Sequence, residues 1–156
     1  MTNNNLLEHP ELVTGMTWGV HGPFRDYISR MSDGRMSARD GAEMLSTGEV
    51  FFPVDVATSK ELRCTGILEF MGHQGMLAVP IEEPWLQRRA GQWHLSIIDP
   101  FDRNARMSFV DVALNHESIG TTRLTEAGTD VFMGNYTEKT PFDPLRIVWT
   151  EKDNTK

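Results

Sequence analysis

The chain has a single cysteine, Cys64. That excludes an internal disulfide and any metal site built from several cysteines, and it leaves Cys64 as a small buried strand residue. Positive charge is also scarce. The formal net charge is -7, so no broad basic face is available for nucleic acid or for an anionic membrane surface. The best local basic clusters are Arg88-Arg89, and Arg103 with Arg106. No apolar run approaches the roughly 18 residues of a membrane-spanning helix, so membrane insertion is not expected. The first fifteen residues lack both a basic start and an apolar stretch. They predict no signal peptide and a cytoplasmic location, or an extracytoplasmic one if a signal was removed. No apolar tail that would anchor the chain follows at the C-terminus. Nucleotide loops of the G-x-x-x-x-G-K and G-x-G-x-x-G types, the G-x-S-x-G elbow and the H-x-x-x-H zinc spacing are all missing.

What is present is one domain of ordinary apolar content, 39% of 156 residues, enough for a sizeable core. Residues 1–14 read as a flexible lead and 151–156 as a frayed tail. No linker or repeat divides residues 15–150. Pro23 suits a first helical turn, and Phe24, Tyr27, Ile28 and Met31 follow at spacings that put them on one face. Asp33-Gly34 ends that helix. A second short helix is predicted near 35–45.

The remainder alternates in strand fashion. Strands are expected over 49–56, 64–71, 76–81, around Trp93–Ile98 and Phe109–Leu114, over 130–136 and over 145–150. Turn signals every 8–12 residues separate them. The pattern predicts a mainly β fold: an antiparallel β-sandwich or flattened barrel with one or two short helices.

Two residues carry the chemistry. Tyr27, one of only two tyrosines, lies on an apolar helix face. It fits either a core residue with a bonded hydroxyl or a phenolate ligand to ferric iron. A free phenol titrates near ~10, so a phenolate needs the metal or a hydrogen-bond donor beside it. His73 lies between Gly72 and Gly75, which allow a tight turn and close approach of another surface. It fits either an exposed hairpin residue or that donor. His21, just ahead of the helix, is expected to face the same pocket. Met71, Met76 and Met133 are candidates to line an apolar pocket. Asp99-Pro100 and Asp143-Pro144 read as turn devices.

Three segments together resemble the HtaA domain, a haem-binding module of actinobacterial haem-uptake proteins. They are Trp18-Gly19-Val20 with Phe24 and Tyr27; Phe70-Met71-Gly72-His73-Gln74-Gly75-Met76-Leu77; and Val131-Phe132-Met133-Gly134-Asn135-Tyr136 followed by Phe142-Asp143-Pro144-Leu145. The resemblance covers roughly residues 15–150. It implies a mainly β fold that binds haem b near the first helix. Tyr27 is then the axial iron ligand and His73 its support, with His21, Phe24, Arg25 and Met71 as further cofactor-binding candidates. Arg25, Arg30 and His21 are the expected partners of the haem propionates. Tyr136 is read as a fold signature. Acquisition, transfer or storage of haem is the implied role, with a haem-transfer partner or a second copy as the implied protein partner. The alternative is an enzyme acting on a small hydrophobic molecule, with Tyr27 and His73 as general acid and base. A third possibility is an interaction module in which both are simply core.

Overall fold

The structure is a computed structural model that describes residues 7–150. Alternating apolar residues close a barrel. Its strands are β1 (Val13–Trp18), β4 (Val50–Thr58), β5 (Glu61–Cys64), β8 (Trp85–Arg89), β9 (Gln92–Ile98), β10 (Arg106–Leu114), β11 (Ile119–Leu124) and β12 (Pro141–Trp149). Pairing runs β1-β12-β11-β10-β9-β8-β5-β4 and returns from β4 to β1, antiparallel throughout. This is the flattened-barrel form of the expected fold. Closure matters physically, because it leaves no unpaired backbone edge in the ring.

The short β3 (Glu43–Met44) extends the ring at β4. A separate three-stranded sheet holds β2 (Arg35–Arg39), β6 (Ile67–Gly72) and β7 (Leu77–Glu82), in the order β2-β6-β7. Two helices complete the fold, α1 (Gly22–Arg30) and α2 (Glu126–Val131).

Inside the ring, Met16, Trp18, Phe52, Leu62, Leu95, Ile97 and Phe109 are fully buried. Strict alternation in β10 would place Phe109 and Val110 on opposite faces. A bulge between Ser108 and Val110 shifts the register against β9, and both side chains are buried.

Three expectations about elements are corrected. Residues 35–45 are not helical. Asp40 and Gly41 have φ of 60° and 106°, a pair of left-handed residues that turns the chain back between β2 and β3. Residues 130–136 are not a strand. Thr125 caps α2 by accepting from Gly128 N at 2.9 Å, and the chain leaves the helix through Met133 at φ 55°. Gly134 N then reaches back to Thr129 O at 2.9 Å, a helix-ending device usually built on glycine. The lead does not run to residue 14, since Leu7 is fully buried and β1 begins at Val13. The expected tail, 151–156, lies outside the described residues.

Candidate functional site

The site begins where β1 hands over to α1. Val20, fully buried, has φ of 66°, a left-handed conformation that β-branched residues rarely adopt. Its carbonyl accepts from Asp143 N at 2.9 Å. The Asp143 side chain then does what an N-cap would do. Oδ1 accepts from Gly22 N at 3.0 Å, and Oδ2 accepts from Arg25 Nη1 at 2.6 Å. Arg25 also donates to Gly19 O at 2.7 Å, and Trp18 Nε1 donates to Asp143 O at 2.7 Å. The barrel thereby fixes the first turn of α1, and α1 carries Tyr27. Asp143-Pro144 is thus more than a turn device.

Phe24 and Ile28 form the buried face of α1. Phe24 packs edge-on against Phe70 at 4.9 Å and Phe132 at 5.1 Å, and Phe132 continues to Phe109 and Phe142 in the barrel. Tyr27 stands at the margin of this face, 46% exposed, over Phe24. Its phenolic oxygen lies 2.7 Å from Nε2 of His73, a residue 46 positions further along the chain. Which atom donates depends on the histidine tautomer.

Tyr27 and His73 stand over an open cleft of about 320 Å³. Phe24, Leu77, Val79, Phe132, Met133, Asn135 and Tyr136 complete its lining. Aromatic and aliphatic groups dominate, with two phenols, one imidazole and one amide as the polar members. Burial, and then the nearby Tyr27 oxygen, raise the pKa of the Tyr136 phenol, so that hydroxyl resists ionisation for a reason internal to the fold.

The sequence candidates distribute as follows. Phe24, Tyr27, His73 and Met133 line the cleft. Tyr136 does too, which the reading of that residue as a fold signature missed; its G-x-Y context carries no distinguishing signal. Met71 does not line the cleft. It alternates with the buried Phe70 and Gly72 on β6, and so belongs to the other face of that strand. Arg25 is committed to Asp143 and Gly19 and is not among the lining residues. Arg30, in the last turn of α1, is exposed and is also absent from the lining. Met76 is 84% exposed and borders the hollow on the far side of His73.

His21 lies behind the cleft. It is buried, stacked on Phe142 at 4.2 Å and edge-on to Tyr136 at 4.9 Å, with Nδ1 lacking a hydrogen-bond partner. Burial lowers its pKa; Asp143 opposes the shift and Arg25 adds to it. His21 is therefore a neutral ring supporting Tyr136 rather than a cation for a carboxylate. A depressed folded-state pKa makes the unfolded chain take up this proton first as the pH falls below the ordinary value of 6.5. The contribution to stability is whole above that value, declines on the way down to the folded-state pKa, and then levels off. Urea unfolding between about pH 7 and about pH 5 is expected to show this decline in the native protein and a shallower one in His21→Phe. Equal slopes in the two proteins would contradict it.

Among the described residues no helix is long and apolar enough to cross a membrane, and no cluster of three or more histidine, cysteine or acidic side chains could hold a bare metal ion. Burial pushes the Cys64 thiol up to about 12, which makes it chemically inert.

Solved structures share this fold. The N-terminal domain of HtaA from Corynebacterium glutamicum is similar in structure, with a TM-score of 0.71 and 21% identity over 88% of this chain and 97% of that one. The C-terminal domain of the same protein gives 0.69 and 22%, covering 87% and 96%. The heme binding protein HtaB from the same organism gives 0.68 and 18%, covering 88% and 92%. No curated protein matches in sequence. At these identities the structures establish the shared fold. Residues 14–148, however, match the family described as Htaa, which is nearly the whole of the described chain. The chain belongs to the HtaA family.

Proposed function

We propose that this protein binds haem, with the Tyr27 phenolate as the ligand for ferric iron and His73 as its hydrogen-bond partner. The observation that carries the reading is the 2.7 Å contact between Tyr27 Oη and His73 Nε2 at an apolar cleft. Ferric iron favours an anionic oxygen ligand, and tyrosinate serves that purpose in other haem proteins. The residues fit the group in three respects. One phenol reaches the cleft half-exposed, its oxygen meets the His73 imidazole, and Phe24, Leu77, Val79 and Phe132 offer an apolar wall to a flat macrocycle. The likeness to a protein described as heme binding points the same way.

The pair also supplies a means of release. With His73 protonated on both ring nitrogens, its Nε2–H donates to a phenolate. With the proton returned to Tyr27, the phenol donates to Nε2 and loses the charge that attracts iron. Neither form requires movement of the backbone. None of the nine lining residues is a lysine or arginine. The cleft wall itself would therefore offer no lysine or arginine to the carboxylates of a bound haem, and a role in handing haem on, rather than sealing it in, fits a cleft that is open.

The same pair could serve as acid and base toward an apolar substrate. Such sites usually hold a further group that orients the base. Here the His73 ring has one side-chain hydrogen bond among the described residues, to Tyr27, so the geometry favours ligand binding. Titration of the purified protein with ferric haem is expected to give a saturable Soret shift with the charge-transfer bands of tyrosinate ligation. A spectrum indistinguishable from free haem at saturating protein would refute the reading.

A further inference from the structure

The turn that carries His73 has a backbone its residues do not favour. His73 and Gln74 have φ of 51° and 57°, and Gly75 follows at 88°. Only the glycine adopts this region without a steric cost. Packing does not hold the turn, because none of His73, Gln74 and Gly75 is buried. On the side away from the cleft it borders a hollow of about 530 Å³ lined also by Met31, Ser32, Asp33 and Met76.

Met76 N closes the turn on His73 O at 3.0 Å, and a carboxylate braces it from outside. In a tight turn, successive backbone N–H groups can converge on one point and form a concave anion-binding nest. Asp33 fills that nest. Its Oδ1 accepts from His73 N at 3.3 Å and its Oδ2 from Gln74 N at 2.6 Å. These amides, Gln74 first, also draw the Asp33 carboxyl below its ordinary pKa, so it is ionised at neutral pH.

Asp33 is itself fixed relative to Tyr27. It lies in the turn directly after α1, where Gly34 N donates to Met31 O at 3.1 Å. A Cβ at Gly34 would stand 2.0 Å from Ile28 O, so glycine lets this turn close tightly on the helix. One segment therefore carries Tyr27 and Asp33, and the other carries His73 and Gln74. Beside the β2–β6 ladder, in which Arg35 pairs with Met71, they are joined by two side-chain contacts: phenol to imidazole, and carboxylate to backbone amides. Tyr27 and His73 are both exposed, so water competes for their hydrogen bond. The second point of attachment keeps the ring in place against that competition.

We infer that Asp33 is a positioning residue: by filling the amide nest it fixes the turn that aims His73 Nε2 at the Tyr27 oxygen, and it thereby sets how firmly Tyr27 holds haem. The first part concerns the ligand-free protein; the second rests on the haem reading above. Asp33 touches neither the cleft nor the phenol, and being exposed it contributes little to global stability, so its effect is local.

The test compares native protein, Asp33→Ala and Asp33→Asn. In the ligand-free state, 15N NMR of the His73 imidazole reads the hydrogen bond to Tyr27 directly. In Asp33→Ala the Nε2 resonance is expected to move toward that of a free imidazole while thermal unfolding is unchanged. Transfer of ferric haem to excess apomyoglobin is expected to be roughly 10- to 100-fold faster, the range usual for loss of a supporting contact. Asp33→Asn should recover part of both, because its amide oxygen still accepts from one N–H. Native values of the imidazole resonance and of the transfer rate in Asp33→Ala would overturn the inference. If the resonance moves but native protein never shows a tyrosinate spectrum, the haem reading has failed and the positioning role stands.

Discussion

Replacing Tyr27 with phenylalanine is expected to abolish the tyrosinate bands of the haem complex and to weaken ferric haem binding by roughly 100-fold or more, beyond the range seen for supporting contacts alone. The substitution removes one oxygen and keeps the ring that stacks over Phe24. Tyr27 is 46% exposed, and its hydroxyl bonds a side chain that is also exposed. Thermal stability should therefore change by no more than about 0.5 kcal/mol, as for other surface positions. The combination is diagnostic: large loss of binding with an intact fold marks a ligand, whereas loss of both marks a core residue. Absorbance titration and thermal unfolding on the same preparation decide it. If Tyr27→Phe binds with native affinity and spectrum, iron is not held by this phenol. Tyr136, the other phenol of the cleft, is the poorer substitute because burial disfavours its anion.

Trp18→Ala should have the largest effect on the fold itself, a destabilisation of about 3–5 kcal/mol, typical of removing a large buried aromatic. Trp18 is fully buried and meets Phe109 edge-on at 5.9 Å. Its indole N–H donates to Asp143 O at 2.7 Å. Asp143 is also the residue that caps α1 and pairs with Arg25. The cavity left by the indole would thus open beneath the anchor of the helix that bears Tyr27. Trp18→Phe separates the two contributions. It keeps most of the packing and loses the donor, and the Asp143 carbonyl retains Thr122 Oγ1 at 2.9 Å. A cost of about 1–2 kcal/mol is expected for it. Chemical denaturation of both variants measures the difference. Equal losses would mean that the hydrogen bond, rather than the packing of the ring, supplies most of what Trp18 contributes.

How far the sequence reached can be judged from particular residues. Trp93, Leu95 and Ile97 alternate cleanly, and they are buried in β9 as that period requires. Phe24 and Ile28 mark the buried face of α1. Period alone failed at residues 130–136, because Val131, Phe132 and Tyr136 suit a strand as well as the end of a short helix. The cap at Thr125 and the left-handed Met133 decided between them. It failed again at 35–45, where two left-handed residues, Asp40 and Gly41, turned a supposed helix into separate strands.

By itself the sequence determined the β class, one helix and the two residue types able to form a phenol–imidazole pair. Those are local properties, written in periodicity and in side-chain chemistry. Only the tertiary structure decided that Tyr27 and His73 meet, that Tyr136 shares their cleft, that Arg25 is consumed by Asp143, and that Asp33 holds the turn behind His73. Each of these is a contact between residues about 40 to 120 positions apart, set by how strands pair in the closed barrel and in the separate β2-β6-β7 sheet. No short stretch of chain contains that information, because the geometry of one segment is fixed by the packing of another.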